Sequence, residues 1–168
     1  IISSVSPLVL LFLPNINELL ISSINFTNPE ISSVASRLLI WHKGFGLFLE
    51  NPLFGIGLKQ SFYILNVEPH NDYLRVLIEL GIIGLIQFLL ISYFMIRKSY
   101  VIIRRTKPHS FINILSTAFF CSYFAYLVMS ISDNLLTSLV IQYPIWGFAG
   151  VLHRLNNNLN IYENSFNK

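Results

Sequence analysis

Residues 70–96 read HNDYLRVLIELGIIGLIQFLLISYFMI, a polar start that leads into a long apolar run. Asn71 and Asp72 are side chains that cap helix starts. Behind them Tyr73, Val76, Leu77 and Leu80 recur at helical spacing. From Gly81 to Ile96 no charged residue occurs. Crossing about 30 Å of hydrocarbon takes roughly 20 apolar residues. The 81–96 run is short on its own, but nothing interrupts the helical pattern leading into it through Val76, Leu77 and Ile78. The spacing therefore predicts one long helix, a membrane span over 81–96 whose outer end carries His70.

Two further apolar stretches follow. Residues 111–131 carry no charge, and 135–152 form a third run broken by Pro144, a break that membrane spans tolerate. The chain opens on an apolar stretch, 1–13, expected to be the end of a span that starts before Ile1. Composition agrees: 54% of residues are hydrophobic, only 11% are charged, and the mean hydropathy is +0.61. A soluble domain carries about 25% charged residues. The expected fold class is all-α, a polytopic transmembrane helical protein with a long extracytoplasmic loop containing short interfacial helices. The single cysteine, Cys121, lies in an apolar run, which excludes an intrachain disulfide or a cysteine metal site.

Lysine and arginine placement orients the spans. Arg97, Lys98, Arg104, Arg105 and Lys107 crowd into 97–110, whereas 14–80 has only Arg37, Lys43, Lys59 and Arg75. The turn 132–134 has none, and Arg154 follows the last span. This places 97–110 and the Asn-rich tail 153–168 in the cytoplasm and the 14–80 loop outside. Within that loop Leu38, Trp41, Phe45, Phe48 and Leu49 recur at helical spacing up to Asn51-Pro52, a helix stop. The stretch is too short and too charged to span, and reads as a helix lying in the interface with its aromatic face in lipid.

Three pieces of the loop stand out: Arg37 with Trp41 four residues later, Asn51-Pro52 leading to Gly55-Ile56-Gly57, and His70-Asn71 leading to Glu79-Leu80-Gly81. Gly55 and Gly57 do not form a dinucleotide fingerprint, since no third glycine follows at the right spacing. They mark a tight turn or a close backbone approach. A histidine at a helix N-terminus faces the positive end of the dipole, which disfavours the imidazolium and suits a base. The same helix end offers free N–H groups to phosphate oxygens, so His70 is equally placed to bind an anion, or simply to stand at a span entrance. Arg37 and Arg75 suit phosphate by their planar fork, or else anchor the interface. The alternation of Glu68, His70 and Asp72 reads as a solvated turn, and no metal site or nucleic-acid partner is expected.

In this order and followed by apolar spans, the motifs resemble the O-antigen ligase family, which also takes in O-antigen polymerase-like proteins. The motifs run from Ser36 to Gly84, and the likeness extends over about residues 30–152. Members are larger, with more spans. The resemblance implies a membrane glycosyltransferase of lipopolysaccharide and other cell-surface polysaccharide biosynthesis, in the bacterial inner membrane with its active loop on the periplasmic side. It implies an undecaprenyl diphosphate-linked glycan as donor, and lipid A core (ligases), another glycan (polymerases) or a protein as acceptor, with no cofactor. It places His70 as the catalytic residue that activates the acceptor, and Arg37, Asn71 and Arg75 as groups toward the diphosphate. Other classes are a transporter of the same lipid, which would carry ionisable residues at mid-span where these spans have none, and an inactive remnant.

Overall fold

The computed structural model describes residues 29–166, and the expected span over 1–13 lies outside them. The described residues form helices and turns, with no strand among them. Helix α1 runs Pro29–Glu50, with proline at its first position, where a missing N–H costs no hydrogen bond. It begins nine residues before Leu38, the first residue of the apolar pattern, and stops where Asn51-Pro52 predicts. Helix α2, Gln60–Leu65, is a single short stretch flanked by Lys59 and Asn66 in left-handed conformations. Where the sequence predicts one uninterrupted long helix, α3, Asp72–Arg105, is 34 residues of helix interrupted at Gly81. Helix α4 is Phe111–Met129, a one-turn 3₁₀ helix covers Leu135–Thr137, and α5 is Leu139–Phe166.

Two helices, α3 and α4, are long and apolar enough to cross a membrane. The third run differs from expectation. Its first residues, Leu135–Thr137, form the 3₁₀ turn, and the α-helix begins only at Leu139, so the apolar stretch is split between two elements. The helix then passes Pro144 and continues to Phe166 through the Asn-rich segment expected as a tail. No glycine or proline follows Gly150 to stop it.

The chain divides into two compact units, one up to Leu85 and one from Ile86. In the first unit Leu38 and Trp41 of α1 form a small core with Leu39, Ile40 and Leu74. The aromatic face expected to lie in lipid is thus shared: Trp41 turns into the protein, while Phe45 and Leu49 are exposed. In the second unit Ile102 of α3, Phe119, Tyr123 and Tyr126 of α4, Leu135, and Ala149 and Leu152 of α5 make the core. The turn between α3 and α4 is closed by Asn113, whose Nδ2 donates to the Ile103 carbonyl at 2.9 Å, and by Ser110, the α4 cap.

Candidate functional site

Helix α3 breaks at Gly81, whose φ of 69° and ψ of −166° are not helical. In an unbroken helix the amides of Ile82 and Ile83 would reach back to the carbonyls of Ile78 and Glu79. The loop after α1 takes over all four groups. Ile82 N–H donates to the Pro52 carbonyl at 2.9 Å and Ile83 N–H to the Leu53 carbonyl at 3.4 Å. In exchange, the Ile78 and Glu79 carbonyls accept from Ile56 N–H at 3.0 Å and Gly57 N–H at 2.9 Å. These four groups are thus paired again within the protein.

Two glycines make this contact possible. A Cβ on Gly81 would lie 2.3 Å from the Leu53 carbonyl oxygen, and one on Gly55 would lie 2.4 Å from the Glu79 carbonyl carbon. Both residues also have φ near +70°, where side chains are strained. The Asn51–Gly57 motif and Gly81 are therefore one structural feature, a loop clasped to a broken helix.

Around this clasp lies a buried charged network. Glu79, 3% exposed, accepts from Ser61 Oγ of α2 at 2.5 Å and from Arg75 Nε at 3.3 Å. Arg75 Nη1 approaches Glu68 Oε2 to 2.9 Å. By distance that approach is an ion pair, and it forms without a hydrogen bond between the two atoms. Arg75 is 5% exposed and Asp72 is fully buried.

His70 sits beside this network, at the entrance to α3. It lies two residues before the first helical residue, half-buried, with φ at +50°. For a residue other than glycine such a conformation costs on the order of 1–3 kcal/mol and persists only where the surroundings over-determine it. They do. On one side Pro69 is buried and its carbonyl accepts from the indole N–H of Trp41 at 2.6 Å. On the other side Asn71 caps α3, its Oδ1 accepting from the Leu74 amide at 2.9 Å. Arg37 lies on α1 one turn before Trp41 and is exposed.

A helix arginine, a glycine loop and a histidine before a broken apolar helix thus fall within residues 37–81. Residues 1–89 match the family described as O-antigen ligase. The chain belongs to the O-antigen ligase family. A protein of Rickettsia conorii named "Putative polysaccharide ligase" is 34% identical over 131 residues, covering 68% of this chain and 30% of the relative. One of the same name from Rickettsia felis is 32% identical over the same coverage. The aligned region is thus about a third of the length of these relatives. No solved structure matches the chain significantly. As a member of the O-antigen ligase family with two helices able to cross a bilayer, the chain is a membrane protein.

Of the residues expected at a ligase site, the fold brings His70, Asn71 and Arg75 to one helix end and puts Arg37 on the helix whose Trp41 grips the residue before His70. Asn71 commits its side-chain oxygen to the helix cap, and Arg75 faces two glutamates. Sequence reasoning does not single out Ser61, Glu68 and Glu79 as site residues. The Arg75–Glu79 pair is legible as an i,i+4 spacing on a helix. The contacts of Ser61 and Glu68 depend on loops and leave no sequence signal.

Proposed function

We propose that the protein is a membrane glycosyltransferase of the O-antigen ligase type, moving a glycan from an undecaprenyl diphosphate-linked donor to a hydroxyl of lipid A core. The observation that carries this reading is His70, held in a left-handed conformation at the N-terminus of α3 by Trp41 and Asn71. In the proposed step the acceptor oxygen attacks the anomeric carbon and passes its proton to the His70 imidazole. The bond from that carbon to the diphosphate breaks, and undecaprenyl diphosphate leaves with the electron pair. Arg37 meets the charge gathering on the diphosphate, as does the positive end of the α3 dipole. Arg75 would join them only by turning from its carboxylates. No metal or cofactor takes part in the proposal.

The proposed topology puts the loop 14–80 in the periplasm, 97–110 and the end of the chain in the cytoplasm, and crossings of the inner membrane at 81–96, 111–131 and 135–152. Exposed Leu49, Leu53, Phe54, Leu58 and Tyr63 surround the clasped loop and favour its lying against lipid, at the depth of a lipid diphosphate.

The test is glycan transfer by the full-length protein in membranes, with lipid A core, free glycan and a protein as competing acceptors. His70→Ala is expected to abolish transfer, and Arg37→Ala to raise the KM for donor about tenfold. Transfer to glycan alone would make the protein a polymerase, and transfer to protein an oligosaccharyltransferase. Full transfer by both variants would refute the site.

A further inference from the structure

An arginine that binds a diphosphate does so through N–H groups and positive charge that are free to face it. Arg75 is poorly placed to offer either. Its side chain is 6% exposed, its Nε lies 3.3 Å from Glu79 Oε1, and its Nη1 lies 2.9 Å from Glu68 Oε2. One guanidinium between two carboxylates leaves the group net negative by formal charge.

What Arg75 does hold is the chain leading to His70. Glu68, anchored to it, lies two residues before the histidine. Pro69 comes next and is gripped through its carbonyl by Trp41, and Asn71 on the far side caps α3. Glu79, the other partner of Arg75, takes the Ser61 hydroxyl and gives its own carbonyl to Gly57. The anchor of the histidine turn is thereby tied to the loop clasped on the break at Gly81.

We propose that Arg75 is a positioning residue for His70 and not a ligand of the diphosphate: through Glu68 it sets the turn that presents the imidazole. The proposal rests on the reading of His70 as the group that takes the acceptor proton. Both carboxylates have a part in it. Glu79 orients the guanidinium from within α3, and Glu68 carries that orientation across the turn.

Glu68→Gln in the full-length protein is the test, because it keeps the side-chain shape and the Arg75–Glu79 pair while removing the charge contact. The expected result is a fall in kcat of about tenfold, as for a slightly misplaced catalytic group. The KM for the lipid-linked donor should stay within about twofold. Hydrogen exchange should quicken at the amides of 67, 68, 70 and 71 and stay unchanged at 76–80. Were Arg75 a phosphate ligand, freeing it from Glu68 would lower the KM for donor and spare kcat, and that result overturns the proposal. Arg75→Ala combined with Glu68→Gln should be no worse than Arg75→Ala alone, since both cut one latch. Additive losses would overturn it as well. If Arg75→Ala does not accumulate, Glu68→Gln alone decides. If the wild-type protein transfers no glycan to any acceptor, the functional reading falls, and the exchange comparison still decides the latch: unchanged exchange at 67–71 overturns it.

Discussion

The two units of the chain, divided within α3, bury different chemistry. Up to Leu85, among the described residues, the buried polar side chains are Ser61, Asn71, Asp72, Arg75 and Glu79. From Ile86 on, among the described residues, they are Ser92, Ser99, Ser116 and Ser130. The serines whose partners are defined serve the helix they belong to. Ser92 and Ser99 donate to carbonyls four residues back, at 2.8 Å each, and Tyr123 reaches Ser92 at 3.3 Å. Burying a charge is far less favourable than burying a hydroxyl, and a buried charge is retained only where it is paired. The first unit carries that penalty beside the family motifs, and the second does not. The unit with buried charge is where a site has to be held in one geometry, and the uncharged interior of the other suits a lipid solvent.

Removing a partner from each half should expose the difference. Glu79→Ala leaves Arg75 buried with Glu68 as its remaining carboxylate. The expected loss is about 3 kcal/mol, near the lower end for a broken buried pair. Denaturation of the detergent-solubilised protein measures it, and a loss no greater than that of a serine variant would erase the distinction. Gly81→Ala comes next, at about 2–4 kcal/mol, because the new Cβ meets the Leu53 carbonyl oxygen at 2.3 Å in a strained conformation. Its counterparts in the second unit are Gly147 and Gly150, where a Cβ meets nothing within 4 Å. Alanine at either of these should be neutral or should stabilise by up to about 1 kcal/mol, through helix propensity. The smallest loss belongs to Tyr123→Phe, which removes one long hydrogen bond between neutral groups. About 0.5–1 kcal/mol is expected, with glycan transfer unchanged. A loss of transfer there would mean that the second unit shapes the site.

Legibility in the sequence divides along similar lines. The apolar, uncharged pattern of α3 and α4 announces membrane-capable helices, and Asn71 announces where α3 starts, since both follow from local periodicity and capping. The stop of α1 before Pro52 is equally local. The break at Gly81 is not. A glycine inside a helical run reads as tolerated, and the carbonyls and amides that satisfy the break come from residues 52–57, over twenty positions upstream. Glu68 and Ser61 are unreadable for the same reason, because tertiary placement alone brings them to Arg75 and Glu79. In the third apolar run the hydropathy pattern is right about composition and silent about the 3₁₀ turn that splits it. For His70, residue type and neighbours raise the candidate. Its left-handed backbone and the Trp41 grip on Pro69 are visible only in three dimensions.

In the proposed mechanism the buried charge of the first unit holds His70 where it takes the acceptor proton. The most direct measurement is the single-turnover rate of glycan transfer by the full-length protein at saturating lipid-linked donor, for wild type and His70→Ala, with and without added imidazole. A fall of about 10²–10⁴-fold is predicted, the usual worth of a positioned general base, with partial recovery in imidazole and unchanged donor binding. His70→Ala turning over at the wild-type rate would show that His70 does not take the proton.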